Sequence, residues 1–209
     1  MTILETGLLS VGCTEQADMN LITLLALTKE RHNRLCPRQV LGVRMGLFAV
    51  RLLNLSSPIL DKRLLVILET DGCFADGIEV ATGCSIGHRT LRVEDYGKAA
   101  GTFVDTLTGE TIRLVPEADV REKALLYSRT TQSRYQAQLQ GYQVMPDESL
   151  FKVQIVQLKK THQEIIGEAG RRVLCTGCGE EIMNKREISE GREVYCRSCW
   201  GEGYYQSGV

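Results

Sequence analysis

The last 35 residues of the chain contain two Cys-x-x-Cys pairs. The four cysteines are Cys175, Cys178, Cys196 and Cys199, and 17 residues separate the two pairs. Each pair presents two thiolates to one tetrahedral ion, and pairs at this separation are typical of structural zinc sites. Because cysteine fills all four positions, no coordination place stays open for a substrate. The motif therefore predicts a structural zinc ion. The alternative is two reduced pairs with a redox role or with no function.

The segment around these cysteines is too short to build much of a hydrophobic core. At roughly 40 residues it would take most of its folding free energy from the metal. Each Cys-x-x-Cys pair forms a tight turn, called a knuckle, around the metal. Gly177 and Gly179 supply the backbone freedom that such a turn needs. Residues 187–193 predict a β-hairpin with a Ser-Glu-Gly turn. We place a domain boundary near residue 168, which separates residues 1–168 from residues 169–209.

A second possible site begins at Cys36, which directly precedes Pro37. Proline is favoured in the first turn of a helix, so Cys36 is expected to cap one. The helix dipole and the free N–H groups at that position favour a thiolate. His32 lies four residues earlier, close enough along the chain to share a site with Cys36.

Two further cysteines lie beside glycines. Cys73 follows Asp71 and Gly72 directly after an apolar stretch, and Cys84 lies in a second glycine-flanked turn. Glycine lets the backbone approach a ligand or a metal closely. Taken alone, each of these cysteines is more often a buried thiol that packs as a small hydrophobic side chain. No neighbour of Cys13 suggests a role for it.

Hydrophobic periodicity predicts the elements that position these residues. They are helices at Asp18–Arg34, Pro37–Asn54 and Ala75–Thr82, a buried strand at Arg63–Glu69, strands between Leu91 and Val115, a helix at Val120–Gly141 and a strand at Phe151–Leu158. In this arrangement the apolar strand delivers Cys73 to its carboxyl end, where functional groups often lie.

Composition excludes several classes of protein. The chain has 209 residues with a net charge of −1, which argues against a dedicated nucleic-acid-binding protein. Arg44 and Arg51 interrupt the best candidate for a membrane span, and the first residues lack the basic start of a signal peptide. We therefore expect a cytoplasmic protein with no membrane association. In that compartment the eight cysteines stay reduced and are available as ligands or reactive groups.

Several motifs in a fixed order support a family resemblance. They are His32-x-x-x-Cys36-Pro37 followed by LGVRMG at 41–46, DGCFADGI at 71–78, TGCSIG at 82–87 followed by Leu91, and DYGKAA at 95–100. From about residue 25 onward the chain resembles the E-subunit family of formylmethanofuran dehydrogenase, many members of which also end in a four-cysteine zinc module. Two positions depart from the family pattern: Arg34 stands where the family has a second histidine, and His88 stands where a lysine is frequent.

The resemblance implies an α+β fold with a mainly antiparallel sheet and packed helices over residues 1–168, and a small zinc-ribbon-like module over residues 169–209. It also implies a homodimer and a cleft that holds a metal. Carried over residue by residue, the cleft ligands are His32, Cys36 and Cys73, with Cys84 and Asp71 as secondary candidates. Arg34 removes one candidate ligand or proton carrier from this set.

Three ligands with one open position are the catalytic form of a zinc site, and the same donors also suit iron, nickel or copper. Such an ion would act as a Lewis acid or activate a bound water. Asp71, Asp76 and His88 are candidate acid–base partners by position. The sequence names no reaction.

Three functions remain open. The first is a metal-binding accessory or subunit-like protein associated with molybdenum or tungsten one-carbon redox enzymes. The second is a stand-alone metalloenzyme that acts on a small molecule. The third is a zinc-ribbon adaptor for nucleic acid or protein. Acidic residues interleave with the basic ones throughout the cysteine-rich module, which argues against nucleic acid.

Overall fold

The computed structural model describes residues 11–55, 61–129 and 133–205, with residues 11–20 described by their backbone alone. The chain divides into two compact units, residues 1–157 and residues 158–209. The boundary expected near residue 168 falls inside the second unit. Among the described residues, no helix is long and apolar enough to cross a membrane.

A five-stranded sheet lies at the centre of the first unit. Its strands are β1 (Leu64–Leu68), β2 (Leu91–Val93), β3 (Gly101–Asp105), β4 (Thr111–Pro116) and β5 (Phe151–Ile155). The strand order is β2-β1-β3-β4-β5; β1 and β2 are parallel and every other pair is antiparallel. The predicted α+β class with a mainly antiparallel sheet is confirmed.

Six helices accompany this sheet in the described part of the first unit. They are α1 (Val11–His32), α2 (Pro37–Leu52), α3 (Cys73–Thr82), α4 (Val120–Tyr127), α5 (Arg134–Val144) and α6 (Asp147–Leu150). Buried side chains of α1, α2 and α3 pack with Val66, Phe103 and Ile112, which are register partners on one sheet face. Burial of such side chains contributes about 1.5–3 kcal/mol each.

The single helix predicted at Val120–Gly141 is wrong. Helix α4 ends at Tyr127, and Ser128 is extended. Ser133 begins α5 as an N-cap whose hydroxyl accepts a hydrogen bond from the Gln136 amide. Serine competes for backbone hydrogen bonds and favours such caps over helix interiors. Residues 130–132 of the predicted helix lie outside the described residues.

Helices α2 and α3 touch through their backbones. A β-carbon on Gly42 would lie 2.2 Å from the carbonyl oxygen of Phe74, and one on Gly77 would lie 2.4 Å from that of Gln39. Real side chains do not tolerate such distances, so only glycine permits this approach. The glycines of the LGVRMG and DGCFADGI motifs therefore bring two helices together.

Arg44, in the middle of the LGVRMG motif, serves a different structural purpose. Its guanidinium donates to the carbonyl oxygens of Tyr142 (2.9 Å), Gln143 (3.0 Å) and Met145 (2.6 Å), and to the carboxylate of Asp147 (2.8 Å). A cation at a helix C-terminus satisfies carbonyls that have no partner within the helix. Arg44 thus caps α5 and ties it to α2.

The second unit contains little buried surface. Its elements are α7 (His162–Ile166), the pair β6 (Arg172–Leu174) and β7 (Glu181–Met183), the pair β8 (Ile188–Glu190) and β9 (Glu193–Tyr195), and a short helical turn at Ser198–Glu202. The predicted hairpin is confirmed as β8–β9, and Gly191 turns it with a φ of 63°. Among the described residues of this unit only Cys175 and Ile182 are buried.

Candidate metal centres

The four cysteines of the second unit form one cluster, and their sulfur atoms all lie within 4.8 Å of one another. The spacing of the two pairs correctly predicted this convergence. The Cys196 amide donates to Cys175 Sγ at 3.2 Å, and the Cys199 amide donates to Cys196 Sγ at 3.4 Å. A β-carbon on Gly177 would lie 2.9 Å from Cys199 Sγ, so the sulfur occupies the space that a side chain would need.

Charge is distributed unevenly over this cluster. The backbone amides of Cys196 and Cys178 lower the pKa of Cys175 to about 6, because they donate hydrogen bonds that favour the thiolate. The Cys196 thiol, followed by those of Cys178 and Cys175, raises the pKa of Cys199 to about 12. Without a cation the cluster would thus hold a thiolate at Cys175 but resist a second one at Cys199. Four sulfur donors at this spacing fit a tetrahedral divalent ion such as zinc.

Cys36 is the N-cap of α2, as the sequence predicted. Its Sγ accepts a hydrogen bond from the Gln39 amide at 3.4 Å, and the Gln39 side chain accepts one from the Cys36 amide at 2.8 Å. This reciprocal pair is a capping box with cysteine in the place of serine or threonine. Gln39 is fully buried and also donates to the Thr28 carbonyl of α1 at 3.2 Å. The position of Cys36 is therefore set by two helices.

Cys73 is the first residue of α3, whereas the sequence placed the start of this helix at Ala75. Gly72 precedes it with a φ of 74°, a conformation that favours glycine. The Cys73 thiol lies close enough to the Cys36 thiol for the two to affect each other's ionisation. Burial raises the pKa of Cys73, and the neighbouring Cys36 and Asp76 raise it further. The two cysteines thus meet where α2 and α3 begin.

His32 is the last residue of α1 and contacts α3 through Asp76. The distance between His32 Nε2 and Asp76 Oδ2 is 2.5 Å. Arg31 lies beside this pair: its guanidinium is 2.6 Å from Glu79 Oε2 and 3.6 Å from Asp76 Oδ1. Asp76 follows Cys73 by three residues, which is about one helical turn. The end of α1 is therefore fastened to the same turn of α3 that carries Cys73.

The structure does not gather all the predicted ligands. Within the described part of the chain, the four-cysteine cluster is the only set of three or more His, Cys, Asp or Glu donors that all lie within 4.8 Å of one another. His32, Cys36 and Cys73 do not meet that spacing. Asp71 is exposed, two residues before Cys73.

Cys84 lies at the other end of α3, beyond its C-cap Gly83. The helical rise from Cys73 to Thr82 alone separates the two ends of α3 by about 14 Å. Its side chain is 1% exposed, and its thiol donates to the Leu64 carbonyl at 3.4 Å. His88 follows in an exposed turn on the Cys84 side of the chain. These contacts are those of a core thiol.

The remaining positions add little to the site. Arg34, which replaces the second histidine of the family pattern, is exposed. Cys13 lies in the part of α1 whose side chains are not described. The seven cysteines with described side chains are free thiols.

Three contacts around the core site were missed by the sequence analysis. Gln39 completes the Cys36 cap, Asp76 holds His32, and the Tyr135 hydroxyl donates to the Leu35 carbonyl at 3.3 Å. The first had a detectable signal, because Gln39 stands at the third position of a capping box. The second had a partial one, since Asp76 follows Cys73 on the same helical face. The Tyr135 contact joins residues 100 apart and had none.

The chain is similar to a known protein family, to a curated protein and to a solved structure. Residues 31–152, more than half of the chain, match the family described as FmdE, molybdenum formylmethanofuran dehydrogenase operon. The matched stretch includes the core site and excludes the four-cysteine cluster.

A curated protein of Archaeoglobus fulgidus, named a probable S-adenosyl-L-methionine-binding protein, is 29% identical over 227 aligned positions. The alignment covers 97% of this chain and 60% of that protein, so the chain spans about three fifths of the length of its curated relative. The crystal structure of an FmdE-like protein of the tungsten formylmethanofuran dehydrogenase type, from Syntrophus aciditrophicus, has a similar fold. Its TM-score is 0.52 at 21% identity, over 92% of this chain and 94% of that one.

Proposed function

The chain belongs to the FmdE family, and we propose that it is a metal-binding accessory or subunit-like protein of a molybdenum or tungsten one-carbon oxidoreductase. In this proposal a structural zinc ion is bound by Cys175, Cys178, Cys196 and Cys199. A second transition-metal ion, zinc or another, is bound in the core by His32, Cys36 and Cys73. The proposal includes a cytoplasmic homodimer.

One observation carries the core site: two thiols from different helices meet where those helices begin. Cys36 caps α2, Cys73 opens α3, and their side chains are neighbours. The glycine contact holds α2 and α3 close together near this point. His32 is the last residue of α1 and contacts Asp76, about one turn beyond Cys73 along α3. Thiolate and imidazole donors suit zinc and the late first-row metals.

An ion bound by three protein ligands supplies a Lewis-acidic position for water or for a small substrate. The chain's own groups contribute the rest. The Gln39 amide donates to Cys36 Sγ, and the half-buried Cys73 lies next to that thiol. Asp71 is exposed before α3, where it could take part in proton transfer. Cys84 is left out of the site because the Leu64 carbonyl and the hydrophobic core hold it.

The test is the number of metal ions per chain in anaerobically purified protein without a histidine tag, measured by plasma mass spectrometry. We expect two ions in the wild type. Cys36→Ser should lower the number to one, because serine keeps the N-cap hydrogen bond but is a poor ligand for a soft ion.

Cys84→Ala is the matched control, since it removes a thiol that lies outside the site; it should retain two ions. One ion in all three proteins would rule out the core site and leave an adaptor or subunit role based on the four-cysteine module. Two ions in Cys36→Ser would mean that other residues bind the second ion.

The proposed partner can be tested independently of the core metal. Molybdenum or tungsten should co-elute with the tagged protein from cells that produce such an oxidoreductase. Absence of both elements under conditions that preserve the oxidoreductase would favour a stand-alone metalloenzyme.

The name of the Archaeoglobus relative favours a second candidate function, the binding of S-adenosyl-L-methionine. A groove of about 460 Å³ is lined by Leu27, Glu30, Arg31 and Val80, beside the turn that carries His32. Three of these residues, Leu27, Glu30 and Arg31, are exposed, so the groove is open to solvent. Calorimetric titration with S-adenosyl-L-methionine should give a measurable heat that Val80→Trp, which fills the groove, abolishes. An identical heat in that variant would place the binding elsewhere.

A further inference from the structure

The four-cysteine cluster of the second unit has a closed side and an open side. Cys175 is buried and Cys196 is half-buried, whereas Cys178 and Cys199 are exposed. The two exposed cysteines come one from each knuckle, and their sulfur atoms lie within 4.8 Å of each other. The open side therefore presents two of the four cysteines to solvent as neighbours.

Two glycines keep the open side clear. Gly179 directly follows Cys178 with a φ of 75°, and Gly201 follows Cys199 by two residues with a φ of 95°. Backbone of this kind disfavours any residue with a side chain. A β-carbon at either glycine would meet no described atom beyond its chain neighbours within 4 Å. The space beside both exposed cysteines therefore has room for a small molecule.

Backbone amides stabilise the other sulfurs of the cluster. The Cys196 amide donates to Cys175 Sγ at 3.2 Å, and the Cys199 amide donates to Cys196 Sγ at 3.4 Å. The Glu180 amide lies close enough to Cys178 Sγ to stabilise its thiolate.

Cys199 Sγ differs from these three sulfurs. Within the described part of the chain no amide hydrogen bond is made to it, and the groups that act on it are the other three thiols. A hydrogen bond from an amide withdraws electron density from a thiolate and makes it a weaker nucleophile. Cys199 is therefore both exposed and the least stabilised of the four sulfurs.

Charge around the cluster selects the kind of molecule that reaches it. Four thiolates around one divalent ion leave an excess of negative charge. Glu180 and Glu181 follow the first knuckle and are exposed, and the Arg197 guanidinium beside the second is 3.9 Å from Glu202. Anions are repelled from such a centre, whereas a neutral hydroperoxide is not. Hydroperoxides oxidise thiolates in preference to thiols, so their chemistry fits this site.

We propose that the four-cysteine centre is a peroxide-reactive site in which Cys199 Sγ is the first sulfur to be oxidised. The inference rests on the proposed zinc ion, which keeps the sulfurs as thiolates. Cys199 Sγ attacks the peroxide, the O–O bond breaks, and a sulfenic acid forms while hydroxide leaves and takes up a proton. A second thiolate of the cluster then attacks the sulfenic sulfur, an S–S bond forms, and another hydroxide leaves as water. Two thiolates are thus oxidised to one disulfide, while the peroxide and two protons become two water molecules.

Oxidation removes two of the four metal ligands and with them the support of the second unit. Only Cys175 and Ile182 are buried among its described residues, so it has little core to keep it folded without an ion. The centre thereby couples the presence of peroxide to the folding of this unit. A dithiol reductant reverses the step by thiol–disulfide exchange and returns the ligands.

The experiment adds hydrogen peroxide to the zinc-loaded full chain and follows two signals. A chromophoric indicator measures released zinc, and Trp200, the only tryptophan, reports the second unit. We expect zinc release and a shift of the Trp200 emission to longer wavelength in step, and recovery of the emission on addition of dithiothreitol and zinc. A wild type that retained its emission in excess peroxide, or never recovered it, would overturn the inference.

Two variants that keep four ligands test the role of Cys199. Histidine also binds zinc but is no nucleophile toward peroxide, so Cys199→His should slow the Trp200 change about tenfold. Cys178→His is the matched control: it replaces the other exposed cysteine, and its rate should stay within about threefold of the wild type. Both are compared after loading with zinc. Equal rates in wild type and Cys199→His, or a greater slowing in Cys178→His, would contradict the assignment.

Direct evidence requires no variant. Dimedone traps sulfenic acids, and peptide mass spectrometry of wild type treated with less than one equivalent of peroxide should find it on Cys199. Labelling of Cys175 or Cys196 first would overturn the assignment. Failure of the proposed zinc site has a different signature, since Cys178→Ser would then have the same zinc content as the wild type before any peroxide is added.

Discussion

The two candidate metal centres differ in what positions their ligands. In the second unit the four ligands come from two short knuckles, and only Cys175 and Ile182 are buried among its described residues. In the first unit His32, Cys36 and Cys73 come from three helices that pack on a large hydrophobic core. We expect the cluster to depend on a bound ion to hold its surroundings together, whereas the residues of the first unit are held by the fold that surrounds them.

The ligands of one centre can be recognised from a local sequence motif, whereas those of the other are positioned by tertiary packing. Four residues of local sequence are enough to form one knuckle, so the second unit has a detectable motif. Cys36 and Cys73 are brought near each other by the Gly42–Gly77 helix contact and by the Cys36 cap. We therefore expect metal removal to unfold the second unit and leave the first intact, and changes in helix packing to do the reverse.

The largest expected effect is the loss of the second unit on removal of its ion. Structural zinc supplies roughly 10–16 kcal/mol of apparent binding free energy, whereas two buried side chains supply about 1.5–3 kcal/mol each. Cys178→Ser should therefore unfold this unit. Trp200 is the only tryptophan of the chain and lies in this unit, so its fluorescence emission should shift to longer wavelength. Far-ultraviolet circular dichroism should retain the signal of the first unit.

Cys84→Ala provides the control, because it removes a thiol from the first unit and should leave the Trp200 emission unchanged. An unchanged emission in Cys178→Ser would contradict the idea that the ion holds the second unit together.

A change in helix packing should have the next largest effect, confined to the first unit. In Gly77→Ala the new methyl group would lie 2.4 Å from the Gln39 carbonyl and 2.7 Å from the Val43 amide. We expect a loss of about 3 kcal/mol in the free energy of unfolding, because backbone atoms must move to admit it. Urea unfolding followed by circular dichroism measures this loss.

Gly87→Ala is the matched control: a β-carbon there meets nothing within 4 Å, and the free energy of unfolding should change by less than about 0.5 kcal/mol. If both variants unfolded at the same urea concentration, close contact of α2 and α3 would not be what stabilises the first unit.

Acid should distinguish the two units by a smaller effect. The Arg63 guanidinium binds both oxygens of Asp105, at 3.0 and 2.7 Å, and lowers the pKa of that carboxyl to about 2. An unfolded aspartate titrates near 3.9. The ion pair therefore stabilises the first unit fully above pH 4, and this stabilisation is lost as the pH falls from about 4 to 2.

Asp105→Asn should cost about 1–2 kcal/mol at pH 7, since Arg63 is one-third exposed and solvent screens the pair. The difference between wild type and variant should vanish near pH 2 in urea titrations. A difference that persisted at pH 2 would assign the effect to packing. The second unit should respond at higher pH, because protons compete with its ion for the thiolates.

Some of the fold was predictable because its signals are local. Proline after Cys36 marked the start of α2, and the apolar run before Cys73 marked β1. The sequence placed the start of α3 two residues late. Its N-cap is Gly72, which has no side chain to form a capping hydrogen bond, so no capping signal exists there in the sequence. The break between α4 and α5 was missed because a serine cap is a weak signal inside a polar, helix-favouring stretch.

In the candidate site, too, local sequence could identify candidate residues but could not tell which of them lie close together. Cys73 and Cys84 look alike in sequence, each beside a glycine after an apolar segment. The structure places them at opposite ends of α3, because a helix advances about 1.5 Å per residue and separates the two by its whole length. One meets Cys36, and the other lies in the core against Leu64.

The sequence by itself determined the four-cysteine cluster, the Cys36 cap and the α+β class. Each depends on residues within a few positions of one another or on a hydrophobic period, and local chain geometry decides both. Only the tertiary structure decided that Cys36 meets Cys73, that Cys84 does not, and that Asp76 holds His32. Those contacts depend on how closely α1, α2 and α3 pack, and packing is set by side chains and glycines far apart in the chain.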